Sequence, residues 1–195
     1  MKEVTVHLTS TGTMLLHNAA RLLNPFDEVN REKKRITDKR TKQTDEDRIM
    51  VARLEWTMGW YFDESGDLAI PTQNVWASMH AAAKKTREGA QFRDAVSMVT
   101  EHATLEFDGP RDLDALWGKG LEGSPFVDYR PVGQQSVKIM RCRPRLAEWS
   151  LAVPFIVDET ILNPDQFALF ADKAGRYVGL GDFRAQYGRF SAKVA

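Results

Sequence analysis

Gly179-Leu180-Gly181-Asp182-Phe183-Arg184-Ala185-Gln186-Tyr187-Gly188-Arg189-Phe190 is the stretch of this chain that bears most on its fold. Gly179, Gly181 and Gly188 permit positive φ and let another backbone come very close. Between them stand Arg184 and Arg189, cations suited to phosphates, and Phe183 and Tyr187, rings on which bases can stack. A C-terminal turn with structural glycines is the equally weighted alternative. Upstream, Asn163-Pro164-Asp165 predicts a helix with a cap at Asn163 and proline at its first position. Its buried side is expected at Phe167, Phe170, Ala174 and Tyr177, and Gly179 stops it. Downstream, Phe190 to Val194 reads as a closing strand.

Alternation places Val4, Val6 and Leu8 on one face of a first strand over Glu3 to Thr9. Thr44-Asp45-Glu46-Asp47 has the form of a capping box opening a helix that ends at Gly59. Trp60, Phe62 and Leu68 flank a turn at Glu64 to Asp67, predicting a short hairpin. Val75, Trp76, Met79, Ala82 and Ala83 share a face of a helix over Thr72 to Thr86. Val96 to Phe107 reads as strand, and Leu113 to Ser124 as a glycine-rich loop with a short helical turn. Val137 to Arg145 and Glu148 to Val157 read as paired strands joined by a break at Pro144 to Ala147. The first stacks Arg141, Arg143 and Arg145 and the second stacks apolar residues, predicting a sheet with one wet, basic side. The order is β, polar insertion, α, β, α, β, ββ, α, β.

Asp27 to Thr44 offers only Val29 and Ile36 for burial, so it reads as a long polar excursion. Seven Lys/Arg stand against two acids from Arg31 to Gln43, and Lys138 to Arg145 holds four basic residues and no acid. From Asp94 to Asp128 the balance reverses, with eight acids against Arg111, Lys119 and His102. The chain as a whole has formal net charge zero, so a polyanion must be held by a local patch rather than by the overall field.

With 195 residues, 43% hydrophobic and 28% charged, the chain is expected to be one domain with an insertion at about 27–44. The lone Cys142 excludes an internal disulfide and reads as a small strand residue. No apolar leader and no membrane-length apolar run is visible, so a cytoplasmic, non-membrane setting is expected. His7, His17, His80 and His102 lack ligand spacing, and neither metal nor cofactor is expected.

The glycine-rich turn between the last helix and last strand, with its Gly-x-Gly and later Gly-Arg-aromatic, resembles the signature of the RAMP superfamily, which forms the backbone of CRISPR effector complexes. Asp67-Leu68-Ala69-Ile70-Pro71-Thr72-Gln73-Asn74-Val75-Trp76 resembles that family's Ile-Pro-Gly-Ser-Ser-Leu-Lys-Gly lead into a helix, and Leu8 to His17 resembles its first strand and turn. Thr72 stands for the motif's glycine, and its lysine is missing here. The resemblance implies an α+β, ferredoxin/RRM-like antiparallel sheet core with helices on one face and a long basic insertion.

It further implies a non-catalytic protein that binds single-stranded DNA or RNA, free-standing in a virus or within a CRISPR-like complex, as a homo-oligomer or head-to-tail filament. Lys33, Lys34, Arg35, Lys39, Arg40, Lys42, Lys138, Arg141, Arg143, Arg184 and Arg189 are the candidate phosphate contacts, with Phe183 and Tyr187 for stacking. An RNA endonuclease using His17 or Asp27 is the first alternative. An assembly protein whose exposed aromatics, including Trp60 and Trp117, bind protein alone is the second.

Overall fold

The computed structural model describes residues 1–134 and 137–195. In chain order the elements are β1 (Lys2–Ser10), β2 (Met14–Leu15), α1 (Ala19–Leu23), α2 (Glu28–Thr37), α3 (Asp45–Gly59), β3 (Ala69–Pro71), α4 (Thr72–Lys85) and α5 (Gly89–Ala95). They continue with β4 (Val96–Met98), β5 (His102–Thr104), α6 (Leu113–Trp117), β6 (Val127–Gln134), β7 (Val137–Leu146), β8 (Ser150–Val157), α7 (Pro164–Lys173) and β9 (Phe190–Val194). The fold class is α+β with antiparallel sheets, as expected. The chain divides into two compact units, one of Met1–Met14, Phe62–Asp108 and Ala147–Ala195, the other of Leu15–Tyr61 and Gly109–Leu146.

The first unit holds a four-stranded sheet in the order β4-β8-β1-β9, with every neighbouring pair antiparallel. Taken with α4 and α7 the sequence of elements is β1-α4-β4-β8-α7-β9, the split β-α-β-β-α-β arrangement of ferredoxin-like folds. Period-two alternation decides which face is covered. Val6 and Leu8 of β1 and Leu151, Val153, Phe155 and Val157 of β8 are buried. Against them lie Val75, Met79, Ala82 and Ala83 of α4 and Phe167, Phe170 and Ala171 of α7. Phe155 meets Phe167 edge to face at 6.2 Å between centroids, and Phe92 of α5 stacks on Phe167 at 6.4 Å. The register puts Thr5, His7 and Thr9 beside Pro154, Ala152 and Ser150 on the opposite face, which carries no Phe, Tyr or Trp along these two strands.

In the second unit, the Thr44 hydroxyl accepts from the Asp47 amide at 3.2 Å and the Asp47 carboxylate accepts from the Thr44 amide at 3.2 Å, closing the predicted capping box of α3. The core is built on tryptophans. Trp56 and Trp60 of α3 and its C-cap meet edge to face at 5.5 Å, and Trp117 of α6 meets Trp56 at 5.3 Å. Gly59 is required where α3 meets β7, because a Cβ there would stand 2.5 Å from Cδ of Pro144.

Four expectations are corrected. The polar excursion at 27–44 is helical over Glu28–Thr37: Val29, Lys33, Ile36 and Thr37 recur at helical spacing and are half-buried, so α2 packs an inner stripe made partly from a lysine stem. Val96 to Phe107 is broken into β4 and β5, and α5 precedes it. β7 and β8 do not pair with each other. β7 pairs with β6 from Val127↔Pro144 to Gln134↔Val137, while β8 pairs with β1 and β4. The break read near Pro144 is where the chain leaves one unit at Leu146 and re-enters the other at Ala147. Tyr177 is 61% exposed, because the helix loosens into a π-helical turn over Ala174–Val178 and swings that ring off the buried face.

Candidate nucleic-acid interface

In the first unit the glycine-rich turn is held by close backbone approaches. Gly188 has φ 71°, and a Cβ there would lie 1.8 Å from the carbonyl oxygen of Leu180. The Leu180 amide donates to the Gly188 carbonyl at 2.9 Å, and the Gly188 amide donates to the Thr13 carbonyl at 2.7 Å. Gly179, at φ 80°, has its carbonyl taken by the buried Ser78 hydroxyl of α4 at 2.9 Å. Gly181 also has positive φ, and Leu180 is buried. Both ends of the turn are thereby fixed to α4 and to the chain after β1, and its middle is pushed out to solvent.

That middle presents the predicted groups together. Phe183 is 53% exposed and lies 5.9 Å from the half-buried Tyr187 ring. Arg184 between them is exposed and forms no ion pair among the described residues. Arg189 is half-buried and donates from Nη2 to the Ala185 carbonyl at 3.2 Å. Arg189 also lines a cleft of about 430 Å³ together with Arg176, Thr11 and Ser191. Arg176, not singled out from sequence, pairs with Asp172 at 2.9 Å, and both line that cleft with Gly175, where a Cβ would be 2.0 Å from the Phe190 carbonyl oxygen.

In the second unit the predicted cations separate into two groups. Lys34, Arg35, Arg40 and Lys42 are exposed and form no ion pair among the described residues, and Lys138 is exposed. Lys39 is exposed but pairs with Asp47 at 2.7 Å. Lys33 is half-buried, and burial pushes its ammonium below the usual lysine range; the Glu55 carboxylate opposes that shift and the Arg141 guanidinium adds to it.

The wet, basic strand expected at Arg141 and Arg143 is corrected. Arg141 is paired with the buried Glu55 at 2.6 Å. Arg143 is 3% exposed and paired with buried Asp128 at 3.0 Å, and Asp128 also pairs with Arg130. Arg143 is buried away from any phosphate, and Arg141, its side chain 33% exposed, has its charge neutralised; the carboxylates that do this lie elsewhere in the sequence. Trp60 and Trp117, expected as exposed protein-binding rings, are 0% and 9% exposed and belong to the core.

Of the two candidate catalytic residues, Asp27 is engaged through its side chain and His17 through its backbone. Asp27 caps α2, accepting from the Asn30 amide at 3.1 Å, and pairs with Arg21 at 3.0 Å. Burial alone would raise its carboxyl, but the hydrogen bonds from Arg21 and Asn30 hold it below the usual carboxylate range. His17 is half-buried, and its carbonyl accepts from the Tyr61 hydroxyl at 2.8 Å. Among the described residues no helix is long and apolar enough to cross a membrane.

No protein-family model matches this chain, and no curated protein matches it. Among solved structures, it is similar to a chain in the cryo-EM structure of the Type III-B Cmr-beta bound to cognate target RNA. The two share 10% identity and a TM-score of 0.49, over 99% of this chain and 59% of that one. The present chain thus spans about three fifths of the length of that neighbour, and its fold assignment rests on the strand order and helix connections described above.

Proposed function

We propose that this protein binds single-stranded nucleic acid without cleaving it, in a RAMP-like, oligomeric assembly. The observation that carries this reading is the glycine turn, which holds out the Phe183 ring, the Tyr187 ring and the unneutralised Arg184 on a backbone fixed at both ends. Rings offer stacking to unpaired bases, which a duplex keeps inside its own stack, and the adjacent cation serves the phosphate. Lys34, Arg35, Arg40 and Lys42 of the second unit supply a further electrostatic contribution that is indifferent to sequence. The engagement of Asp27 in a cap and an ion pair supports the non-catalytic reading.

The test is fluorescence anisotropy of the full chain with equal-length single-stranded DNA, single-stranded RNA and duplex, across a salt series. Single strands are expected to bind more tightly than duplex, with affinity falling as salt rises. Absence of binding to either single strand at low salt removes the reading. RNA products that appear on incubation and vanish on His17→Ala would instead establish the endonuclease.

A further inference from the structure

We infer a divalent transition-metal site at Glu64, Glu101 and His102 in the first unit, separate from the glycine turn and independent of the nucleic-acid reading. One donor atom from each of the three residues lies within 4.8 Å of the other two. Donors about 2.1 Å from a tetrahedral ion stand roughly 3.4 Å apart, so a small closure completes the set. The Nδ1 of His102 and the Oε1 of Glu64 are already 3.2 Å apart. Glu64 and Glu101 are exposed, and their side chains can make that closure by a change of rotamer.

Two pieces of backbone bring the donors together, the turn that carries Glu64 and the segment that carries the consecutive Glu101 and His102. Glu64 sits on the turn closed by the Phe62↔Leu68 bridge, where the Asp63 carboxylate accepts from the Ser65 and Asp67 amides. His102 opens β5, opposite Pro71 of β3. Glu101 is fixed through its carbonyl, which accepts from the Thr72 amide at 2.8 Å. The imidazole is half-buried, so one donor is held in place while two carboxylates move.

The chemistry of the set selects the ion. One neutral imidazole and two carboxylates form a nitrogen-oxygen set suited to zinc or manganese, whereas magnesium and calcium favour all-oxygen sites. Three protein ligands also leave coordination positions open. Glu101 and His102 line a cleft of about 430 Å³ with Gln73 and Thr100, which gives water or a small ligand access to those positions.

The experiment is calorimetric titration of the chelator-treated full chain with Zn²⁺ and with Mn²⁺. One ion per chain is expected, and His102→Gln or Glu101→Gln should each weaken it at least about tenfold, a loss that even a supporting group can cause. Pulsed electron paramagnetic resonance of the Mn²⁺ form should show an imidazole nitrogen coupling that His102→Gln abolishes. All three positions lie at the surface or half-exposed, and circular dichroism of each variant checks that it stays folded. The inference falls if the wild-type chain binds neither ion at millimolar concentration, or if binding survives the Glu101→Gln/His102→Gln double variant.

Discussion

Arg143 and Asp128 face each other across the β6–β7 pair as a buried ion pair, Nη2 to Oδ2 at 3.0 Å, with side chains 4% and 1% exposed. Taking away one partner leaves a charge in a place from which water is excluded. Asp128→Ala should therefore destabilise the protein by about 3–5 kcal/mol. Arg143→Met/Asp128→Leu should lose much less, because the apolar pair leaves no buried orphan charge, the Arg130 side chain that Asp128 also neutralises being 44% exposed. Urea unfolding of the two variants measures the difference, and equal losses would mean that the pair is not desolvated.

Arg184→Ala and Phe183→Ala should weaken single-strand binding with little change in melting temperature, since both side chains are exposed. Removing the ring should cost about 1–3 kcal/mol of binding. Anisotropy against single-stranded DNA and RNA reads this, and unchanged affinity in both variants would move the interface elsewhere.

The triple variant Lys34→Ala/Arg35→Ala/Lys42→Ala tests the second unit by itself. Each cation withdrawn from a phosphate should flatten the slope of log affinity against log salt by about 0.7, so three should flatten it by about 2. A slope equal to that of the wild type would exclude α2 and the turn that follows it from the strand's binding surface.

Gly188→Ala attacks the turn rather than its exposed groups. Its φ of 71° and the Leu180 carbonyl 1.8 Å from the added carbon require the backbone to move. Stability should fall by more than about 1 kcal/mol, and binding should fall with it. Thermal melting and anisotropy on the same sample check both parts.

Asp27 links stability to acid. Its folded carboxyl titrates below the ordinary 3.8, so its contribution is complete above that value and is lost as pH falls through the lower folded one. Asp27→Asn should flatten this part of the acid-unfolding curve, and loss of the full cap by Asp27→Ala should cost about 1 kcal/mol. Curves for Asp27→Asn and wild type that stay parallel down to the acid transition would sink the assignment.

Cys142 should be inert in the folded protein. Burial, with the charges of Glu55 and Asp128, pushes its thiol up to about 12 against the opposing pull of Arg143. A thiol reagent at pH 8 should label it only after denaturant is added, and rapid labelling of the native chain would contradict its burial.

The alternation of Val4, Val6 and Leu8, the caps at Thr44 and Asn163, the glycine turn and the closing strand were all legible in the sequence. Each depends on residues within a few positions of one another, where chain geometry leaves little choice. The helix at Glu28–Thr37 was legible in part: Val29 and Ile36 have helical spacing, but the stripe is completed by the stem of Lys33, which a reading by polarity counts as solvent-facing. The cluster of Glu64 with the consecutive Glu101 and His102 was not legible, since strand pairing and the turn it closes bring Glu64 to the other two.

Residue order carried the periodicity, the stops and starts of several elements, and the chemistry of the exposed turn. Three-dimensional packing set which cations stay free, because neutralisation depends on distant carboxylates: Glu55 meets Arg141 from 86 positions away. It likewise decided that β7 joins β6 rather than β8, and that Trp60 and Trp117 lie inside. Pairing and burial are set by whatever the fold brings alongside, and a strand or a ring carries no local mark of its future neighbour.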